Sequence, residues 1–182
     1  EKGKLFWLRV FEVPEGSKVS KGRAIQNLIN IDADDRIKAV LNVKTLSDPD
    51  YINNNYIVMC TEKGIVKKTL LELYSRPRQN GIIAISINEG DNLLDVALTN
   101  GDNFIVIAGQ EGKAVRFHEA GIRPMGRGAA GVKGITLENE TKAIGMICVS
   151  RLDTQLLVVS ENGYGKRSDL EEFRVTSRGA KG

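Results

Sequence analysis

The sequence predicts an all-β fold of propeller-like blades, and three observations support this. An acidic or amide residue and a glycine lead four times into a short run with basic residues, and the glycines Gly3, Gly64, Gly112 and Gly163 lie 61, 48 and 51 residues apart. Val and Ile are abundant in the short runs between turns, as strands favour, and proline falls only in loops. A period of about 50 residues built from short strands is typical of a repeat architecture.

The repeat divides the chain into units within a single domain, 1–182. A second glycine follows each first one by 16 to 19 residues, which marks the end of the loop before the last strand of the unit. About three and a half units are present, and they span 1–31 (a half), 32–90, 91–140 and 141–182, the last strand being incomplete. We call these the first to fourth units, and each full unit is expected to contain a first to a fourth strand.

The predicted strands follow from apolar runs bounded by turn residues. In the half unit, 5–11 is a third strand and 24–29 a fourth. Glycine takes the positive φ of a tight hairpin, so turns such as Glu62-Lys63-Gly64 join second strands to third strands. Single helical turns are expected at 69–74 and 168–173. The remaining strands, in chain order, are 36–43, 55–61, 65–71, 82–87, 93–98, 104–108, 113–117, 132–137, 143–149, 155–160 and 164–168.

Composition narrows the class of protein. Apolar residues form 41% of the chain and charged residues 27%, which suits a globular protein with a core, and no apolar run approaches the roughly 20 residues of a membrane helix. Cys60 and Cys148 lie in apolar runs and are expected to behave as small buried hydrophobes in a reducing compartment. One histidine and two distant cysteines do not supply a zinc site. Because residue 1 is not Met and lies inside a repeat, the chain is expected to be a fragment.

Positive charge recurs at one place in every unit. The stretches 1–23, 62–81, 111–134 and 161–182 hold 21 of the 26 Lys and Arg but 11 of the 23 Asp and Glu, a net of +10, whereas the remaining residues carry a net of −7. Equivalent positions of a repeat fall on one edge, so a continuous basic rim for a polyanion is expected. The predicted binding residues are Arg9, Lys18, Lys21, Arg23, Lys67, Lys68, Arg76, Arg78, Lys113, Arg116, Arg123, Arg127, Lys133, Lys166, Arg167, Arg174, Arg178 and Lys181.

The loops in these stretches favour double-stranded DNA as the polyanion. Residues 75–81, 126–131 and 177–182 are rich in glycine, serine and arginine, and small residues let backbone N–H groups approach phosphates. No aromatic side chains alternate with the basic ones, which weighs against stacking on single-stranded bases. Phosphate contacts of this kind position a duplex without reading its sequence.

Five segments carry a family resemblance that runs along the whole chain in order. They are Gly3–Glu15, Lys21–Ile29, Gly112–Phe117, Gly131–Ile135 and Asn162–Arg167. With these segments the chain resembles the C-terminal DNA-wrapping domain of bacterial DNA gyrase A. That resemblance implies a β-pinwheel, a six-bladed propeller-like disc whose basic rim wraps duplex DNA. The family's Gln-Arg-Arg-Gly-Gly-Lys-Gly box is expected upstream, and residues 177–182 resemble a degenerate form of it.

The resemblance also implies a cellular role. The chain would be the accessory domain of an ATP-dependent type II topoisomerase and would bias strand passage toward negative supercoiling. Its partners would be DNA, the rest of gyrase A and gyrase B in an A2B2 heterotetramer, in the bacterial cytoplasm at the nucleoid and away from membranes. ATP and Mg²⁺ would be bound elsewhere in the parent enzyme, with no cofactor, metal or catalytic residue in these 182 residues.

Three alternatives remain open. The equivalent domain of topoisomerase IV has a similar fold without gyrase-style wrapping. A protein-interaction propeller would expose an apolar or aromatic face, although aromatic residues form only 5% of the chain. A nucleotide-binding enzyme is suggested by Gly126, Gly128 and Gly131, but a strand is expected after this loop where a dinucleotide site needs a helix. His118 has no nucleophilic partner in a recognisable arrangement.

Overall fold

The computed structural model describes residues 1–182 and is mostly β-structure. One short helix, α1 (Pro49–Asn53), and five 3₁₀ turns (Val10–Glu12, Ile25–Asn27, Leu71–Tyr74, Glu119–Gly121 and Leu170–Glu172) accompany the strands. No helix has the length and apolar character needed to cross a membrane. The strands are β1 (Lys4–Leu5), β2 (Tyr56–Thr61), β3 (Ile65–Leu70), β4 (Ile82–Ile83), β5 (Leu93–Thr99), β6 (Phe104–Gly109), β7 (Ala114–His118), β8 (Val132–Lys133), β9 (Ala143–Val149), β10 (Gln155–Val159) and β11 (Gly165–Asp169).

The strands form four antiparallel sheets, which confirms the all-β prediction. The largest has the order β5-β2-β3-β8 and therefore the four strands expected of a blade. A three-stranded sheet has the order β7-β6-β9, and the pairs β1-β4 and β10-β11 form two smaller sheets.

A unit of sequence is not the same as a sheet, because a unit contributes its first and fourth strands to the sheet of the preceding unit, an arrangement we call strand exchange. The β2–β3 hairpin belongs to the second unit, whereas its outer neighbours β5 and β8 come from the third unit. In the same way, β9 of the fourth unit pairs with β6 of the third. These first and fourth strands thus pair with the hairpin of the preceding unit, and this exchange ties consecutive units together.

Strand exchange explains which predicted strands do not form. Residues 36–43 have no assigned strand, residues 24–29 contain only the 3₁₀ turn Ile25–Asn27, and of 5–11 only Leu5 pairs, as part of β1 with β4. A first strand such as 36–43 needs the second strand of a preceding unit beside it, and residues 1–3 do not supply one. The strand predictions at these positions were therefore wrong, since an extended segment becomes a regular strand only when a partner satisfies its backbone groups.

Local signals explain the helical turns. Leu71–Tyr74 and Leu170–Glu172 fall where single turns were predicted. The α1 helix was not predicted, although its signal is visible in the sequence. Asp48 is its N-cap and accepts hydrogen bonds from the N–H groups of Asp50 and Tyr51, with Pro49 at the first helical position.

The core lies between sheets, and β2 joins its two parts. Ile57 and Met59 face a cluster of nine buried residues, whereas Val58 and Cys60 on the other face enter a cluster of eleven. A strand buried on both faces is what stacked sheets require. Cys60 is a buried free thiol within the cluster of eleven, as predicted, and Cys148 is a half-buried free thiol packed against it. Burial raises the pKa of each to about 12.

Candidate nucleic-acid interface

Each of three basic loops is hydrogen-bonded to the fourth-strand segment of the preceding unit, or to the residue just after it. We call loops 75–81, 123–131 and 174–182 together the loop belt. In the first contact, Asn30 Nδ2 donates to Asn80 Oδ1 at 2.9 Å. In the second, Ser86 Oγ donates to the Gly128 carbonyl at 2.8 Å.

The third contact repeats the second one unit further along the chain. Thr136 Oγ1 donates to the Gly179 carbonyl at 2.7 Å, and the Thr136 N–H donates to the Ala180 carbonyl at 2.8 Å. Ser86 and Thr136 each lie five residues after the glycine that begins the fourth strand. They were missed from the sequence, although a polar residue recurring at this place in an apolar strand was the available signal.

The other ends of two of these loops are held by third strands. The Met125 N–H donates to the Lys68 carbonyl at 2.8 Å, and the Thr176 N–H donates to the Arg116 carbonyl at the same distance. Both ends of each of these two loops are thus hydrogen-bonded to the preceding unit. The position of each of these two loops is therefore fixed relative to the unit before it.

Lys67 holds loop 123–131, the middle loop of the belt, through hydrogen bonds. Its side chain is fully buried, and its Nζ donates to the carbonyls of Ala84 at 2.5 Å and Arg127 at 2.6 Å. Burial, with a smaller contribution from the Arg127 charge, lowers the pKa of Lys67 to about 8. Lys67 therefore ties loop 123–131 to the fourth strand of the second unit and is not available to a ligand.

Two further predicted binding residues are also buried and lie between units. Lys68 is 4% exposed, and its Nζ is 3.0 Å from Glu119 Oε2. Arg116 is 7% exposed, and its Nη1 donates to the Leu170 carbonyl. The prediction that Lys67, Lys68 and Arg116 contact a ligand is corrected here, because the following unit covers all three.

Three exposed lysines of the predicted binding set form ion pairs with carboxylates. Glu138 lies 3.0 Å from Lys113 Nζ and 2.6 Å from Lys181 Nζ, and its pKa falls to about 2 because of these contacts, that with Lys181 first. Lys166 lies 3.8 Å from Glu172. These lysines are accessible, but an arriving phosphate would compete with a carboxylate for each.

The other twelve predicted cations make no ion pair, and all are exposed except the half-buried Arg127. Six of them lie in the loop belt, and Lys18, Lys21 and Arg23 lie in the segment that leads to Asn30. Arg178 also links two units, since its Nη1 donates to the Lys133 carbonyl at 3.0 Å. The twelve are Arg9, Lys18, Lys21, Arg23, Arg76, Arg78, Arg123, Arg127, Lys133, Arg167, Arg174 and Arg178.

Eight lysines and arginines lie outside the predicted set, and five of them, Lys2, Lys4, Lys38, Lys142 and Arg151, lie within 3.1 Å of a carboxylate. The other three, Arg36, Lys44 and Lys63, form no ion pair. Most of the cations without an ion pair are thus in the third-strand and loop segments where the repeat placed them.

The candidates for other chemistry have local structural roles. His118 Nδ1 accepts a hydrogen bond from the Ala120 N–H at 3.2 Å, and its Nε2 lies 3.1 Å from Asp102 Oδ1. The loop containing Gly126, Gly128 and Gly131 leads into a strand, β8, and not into a helix. No group of three or more His, Cys, Asp or Glu side chains is arranged to hold a metal ion.

The chain is similar over its whole length to known DNA gyrase and topoisomerase IV proteins. It is 41% identical over 181 residues to the A protein of DNA gyrase from Salmonella typhimurium, a match that covers 100% of this chain and 20% of that protein. A structure of the C-terminal domain of DNA topoisomerase IV matches with a TM-score of 0.87 and 29% identity, over 100% of this chain and 55% of that one. A structure of the DNA gyrase A C-terminal domain matches with a TM-score of 0.81 and 26% identity, over 100% and 56%.

The family assignment rests on a match that extends through all four units. The family model described as the DNA gyrase C-terminal domain, a β-propeller, matches residues 1–44, 55–100, 103–150 and 154–182. The chain spans only 20% of the length of the Salmonella gyrase protein, so it corresponds to one part of such a protein. This chain therefore belongs to the DNA gyrase C-terminal domain family of β-propellers.

Proposed function

We propose that this chain binds duplex DNA with little sequence preference and wraps it along the loop belt. The observation that carries the proposal is the contact of each basic loop with the fourth-strand segment of the preceding unit, at Asn80, Gly128 and Gly179. A track with evenly repeated cations suits a polymer with evenly repeated phosphates. The family membership supports the same function.

The chemistry of the belt favours the backbone of DNA over its bases. Arginine and lysine side chains neutralise phosphates, and the glycines and alanines at 126–131 leave the loop backbone accessible. Bending a duplex of 20–30 base pairs by 40–90° costs about 1–6 kcal/mol, so several simultaneous contacts are needed to offset it. Twelve exposed or half-exposed cations without carboxylate partners are enough to supply such contacts.

In the cell, we propose that wrapping serves a gyrase. The domain would present a second segment of the wrapped DNA to the cleavage gate with a fixed handedness and so bias strand passage toward negative supercoils. Its partners would be the rest of gyrase A, together with gyrase B, in the bacterial cytoplasm. ATP and Mg²⁺ would act elsewhere in that enzyme, and this chain would contribute no catalytic residue or cofactor site.

One specific observation favours a second candidate. The match to the topoisomerase IV domain has a higher TM-score, 0.87, than the match to the gyrase A domain, 0.81. A domain of the topoisomerase IV type would bind DNA through the same belt without gyrase-style wrapping. A measurement of wrapping, and not of affinity, therefore separates the two candidates.

A protein-interaction propeller is less well supported. Large apolar side chains are exposed in the first, second and fourth units, and the most exposed are Val19, Val40 and Val10. Val10 occupies the position of Leu71, which is fully buried in the second unit. Only two of the sixteen exposed large apolar side chains, Phe11 and Tyr164, are aromatic, which gives little support to an aromatic binding face.

The experiment that tests the proposal is topological. Nicked circular DNA is ligated with increasing amounts of the chain, and the change in linking number is read after the protein is removed. Wrapping predicts a change that grows with the amount of bound chain. Binding measured in parallel should fall by roughly 10³–10⁵ in affinity between 50 and 200 mM salt if 6–10 phosphates are contacted. Binding without a change in linking number would contradict wrapping and favour the topoisomerase IV type, and a flat salt response would contradict the electrostatic basis of both.

A further inference from the structure

The same side-chain position connects neighbouring units at each of three boundaries. Four residues after the hairpin glycine, a side chain donates a hydrogen bond to a backbone carbonyl of the next unit. Trp7 donates to the Tyr74 carbonyl at 2.8 Å, Lys68 lies 3.4 Å from the Glu119 carbonyl, and Arg116 donates to the Leu170 carbonyl. Because the donor position recurs in three units, this contact is a feature of the repeat and is not confined to one boundary.

In two units an aromatic ring holds this side chain in place. Lys68 Nζ lies 4.5 Å from the centre of the Tyr56 ring, and the Arg116 guanidinium lies 4.9 Å from the centre of the Phe104 ring. Both aromatic residues begin the second strand of their own unit, 48 residues apart. A cation over an aromatic face is attracted by the ring, and so the direction in which each cation leaves its unit is restricted.

The boundary between the second and third units has the most complete set of partners. Glu119 is fully buried, and its Oε2 accepts from Thr99 Oγ1 at 2.9 Å and pairs with Lys68 Nζ at 3.0 Å. Its Oε1 accepts from the backbone N–H of Asn103 at 2.9 Å and from Asn103 Nδ2 at 2.8 Å. A buried ion pair contributes less to net stability than to fixing one geometry, because both charges need every partner in place.

At the boundary between the third and fourth units, Arg116 provides the cation, but no carboxylate faces it. Leu170 occupies the position of Glu119, so Arg116 has a carbonyl and a ring as partners and its buried Nε has none. The two boundaries therefore differ in how firmly the side chains define the angle between units.

We propose that Lys68 and Glu119 are a positioning pair that sets the rotation between the second and third units, and through it the curvature of the DNA path. The proposal rests on the function proposed above and deepens it. Lys68 also accepts the Met125 N–H through its carbonyl, so the residue that bears the ion pair is the one that holds the start of loop 123–131. A rotation at this boundary would shift that loop relative to loop 75–81 and change the bend that DNA must adopt to contact both.

The test compares wrapping with binding in the same variants of the chain. The double variant Lys68→Met/Glu119→Gln removes both charges, so no buried charge is left without a partner, and it shortens only the side chain at position 68, by one atom. We expect its linking-number change per bound chain to fall at least twofold, while its affinity for a straight duplex of about 20 base pairs and the salt dependence of that affinity stay within about twofold. Thr99→Val, which removes one hydrogen bond to Glu119 and no charge, should give a smaller loss of wrapping in the same direction.

A matched control separates positioning from stability. Ile52→Val in the α1 helix belongs to the other core cluster and lies outside the strands that meet at this boundary. It should lower the melting temperature, while its linking-number change should stay native under conditions where it is folded. If the double variant and Thr99→Val both wrap DNA as the native chain does, the positioning role is wrong. If Ile52→Val loses wrapping to the same extent, the effect is one of stability and the role is again wrong. If the native chain itself gives no linking-number change, the proposed wrapping function fails first.

Discussion

The Arg178 guanidinium donates a 3.0 Å hydrogen bond to the Lys133 carbonyl, across the boundary between the third and fourth units. The same guanidinium donates through Nε to the Gly121 carbonyl at 3.3 Å. Two basic residues from different units are thus held next to each other although neither has a carboxylate partner. Such an arrangement concentrates positive charge at the place where the loop belt crosses between units.

Arg178 should therefore contribute to DNA binding through its charge. We expect Arg178→Gln to weaken binding about equally for different duplex sequences and to reduce the salt dependence, the slope of log K against log salt, by about 1. Lys142→Gln is the control, because Lys142 is exposed but paired with Glu62 at 2.8 Å. An unchanged slope in Arg178→Gln, measured by titration at several salt concentrations, would remove Arg178 from the interface.

Glu138 should restrain binding, since it holds Lys113 and Lys181. Glu138→Gln is expected to release both lysines, raise affinity at low salt and increase the salt slope by up to about 2. Because its pKa is held near 2, the Glu138 carboxylate stays charged at any pH used for binding, and its effect should not vary between about pH 5 and 8. Glu62→Gln is the matched control, because Glu62 pairs at 2.8 Å with Lys142, a lysine outside the predicted binding set. Equal affinity of the Glu138 variant and the native chain would show that these lysines do not meet DNA.

Lys67 should make the free energy of unfolding depend on pH in the alkaline range. Its pKa is about 8 in the folded chain and ordinarily 10.5, so between these values the unfolded state binds more protons and stability rises with pH, by at most about 1.4 kcal/mol per pH unit. Above about pH 9, stability falls as the pH rises. The thiols of Cys60 and Cys148 have pKa values raised from 9.0 to about 12, so the folded state then holds two protons that the unfolded state loses.

The expected result is a shallow stability maximum near pH 9. Urea unfolding from pH 7 to 10 measures it, and Lys67→Met should abolish the rise between pH 8 and 9 while leaving the fall above pH 9. Lys133→Met, which removes an exposed lysine, should keep the native profile. Parallel profiles of the native chain and Lys67→Met would mean that the buried ammonium does not titrate in this range.

Two equivalent hairpin glycines should differ in their tolerance of a side chain. Gly64 and Gly112 have φ values of +77° and +78°, so alanine costs about 1–2 kcal/mol of backbone strain at either. A Cβ at Gly64 would also lie 2.6 Å from Ile135 Cγ2, whereas at Gly112 nothing lies within 4 Å. Gly64→Ala should therefore lower the free energy of unfolding by roughly 1–3 kcal/mol more than Gly112→Ala, as measured by urea denaturation. Equal losses would show that the contact between this turn and Ile135 is not tightly packed.

The period of the repeat, the hairpins of the second and third units and the segregation of charge could all be predicted from the sequence. These features depend on residues close together in the chain: a glycine with positive φ, the apolar runs beside it and the basic residues that follow. The strands β2, β3, β6 and β7 each form within one unit and were predicted to within about two residues at each end.

Which strands share a sheet, and which cations face solvent, depends on how the units pack. The first and fourth strands of a unit pair with the hairpin of another unit, so 36–43 remains irregular despite a suitable pattern. Lys68 and Lys133 look alike in sequence, yet one is buried against Glu119, 51 residues further along, and the other is exposed. Burial of a charge depends on whether a distant segment covers it and supplies a partner, and the chain acquires that contact only when neighbouring units pack together.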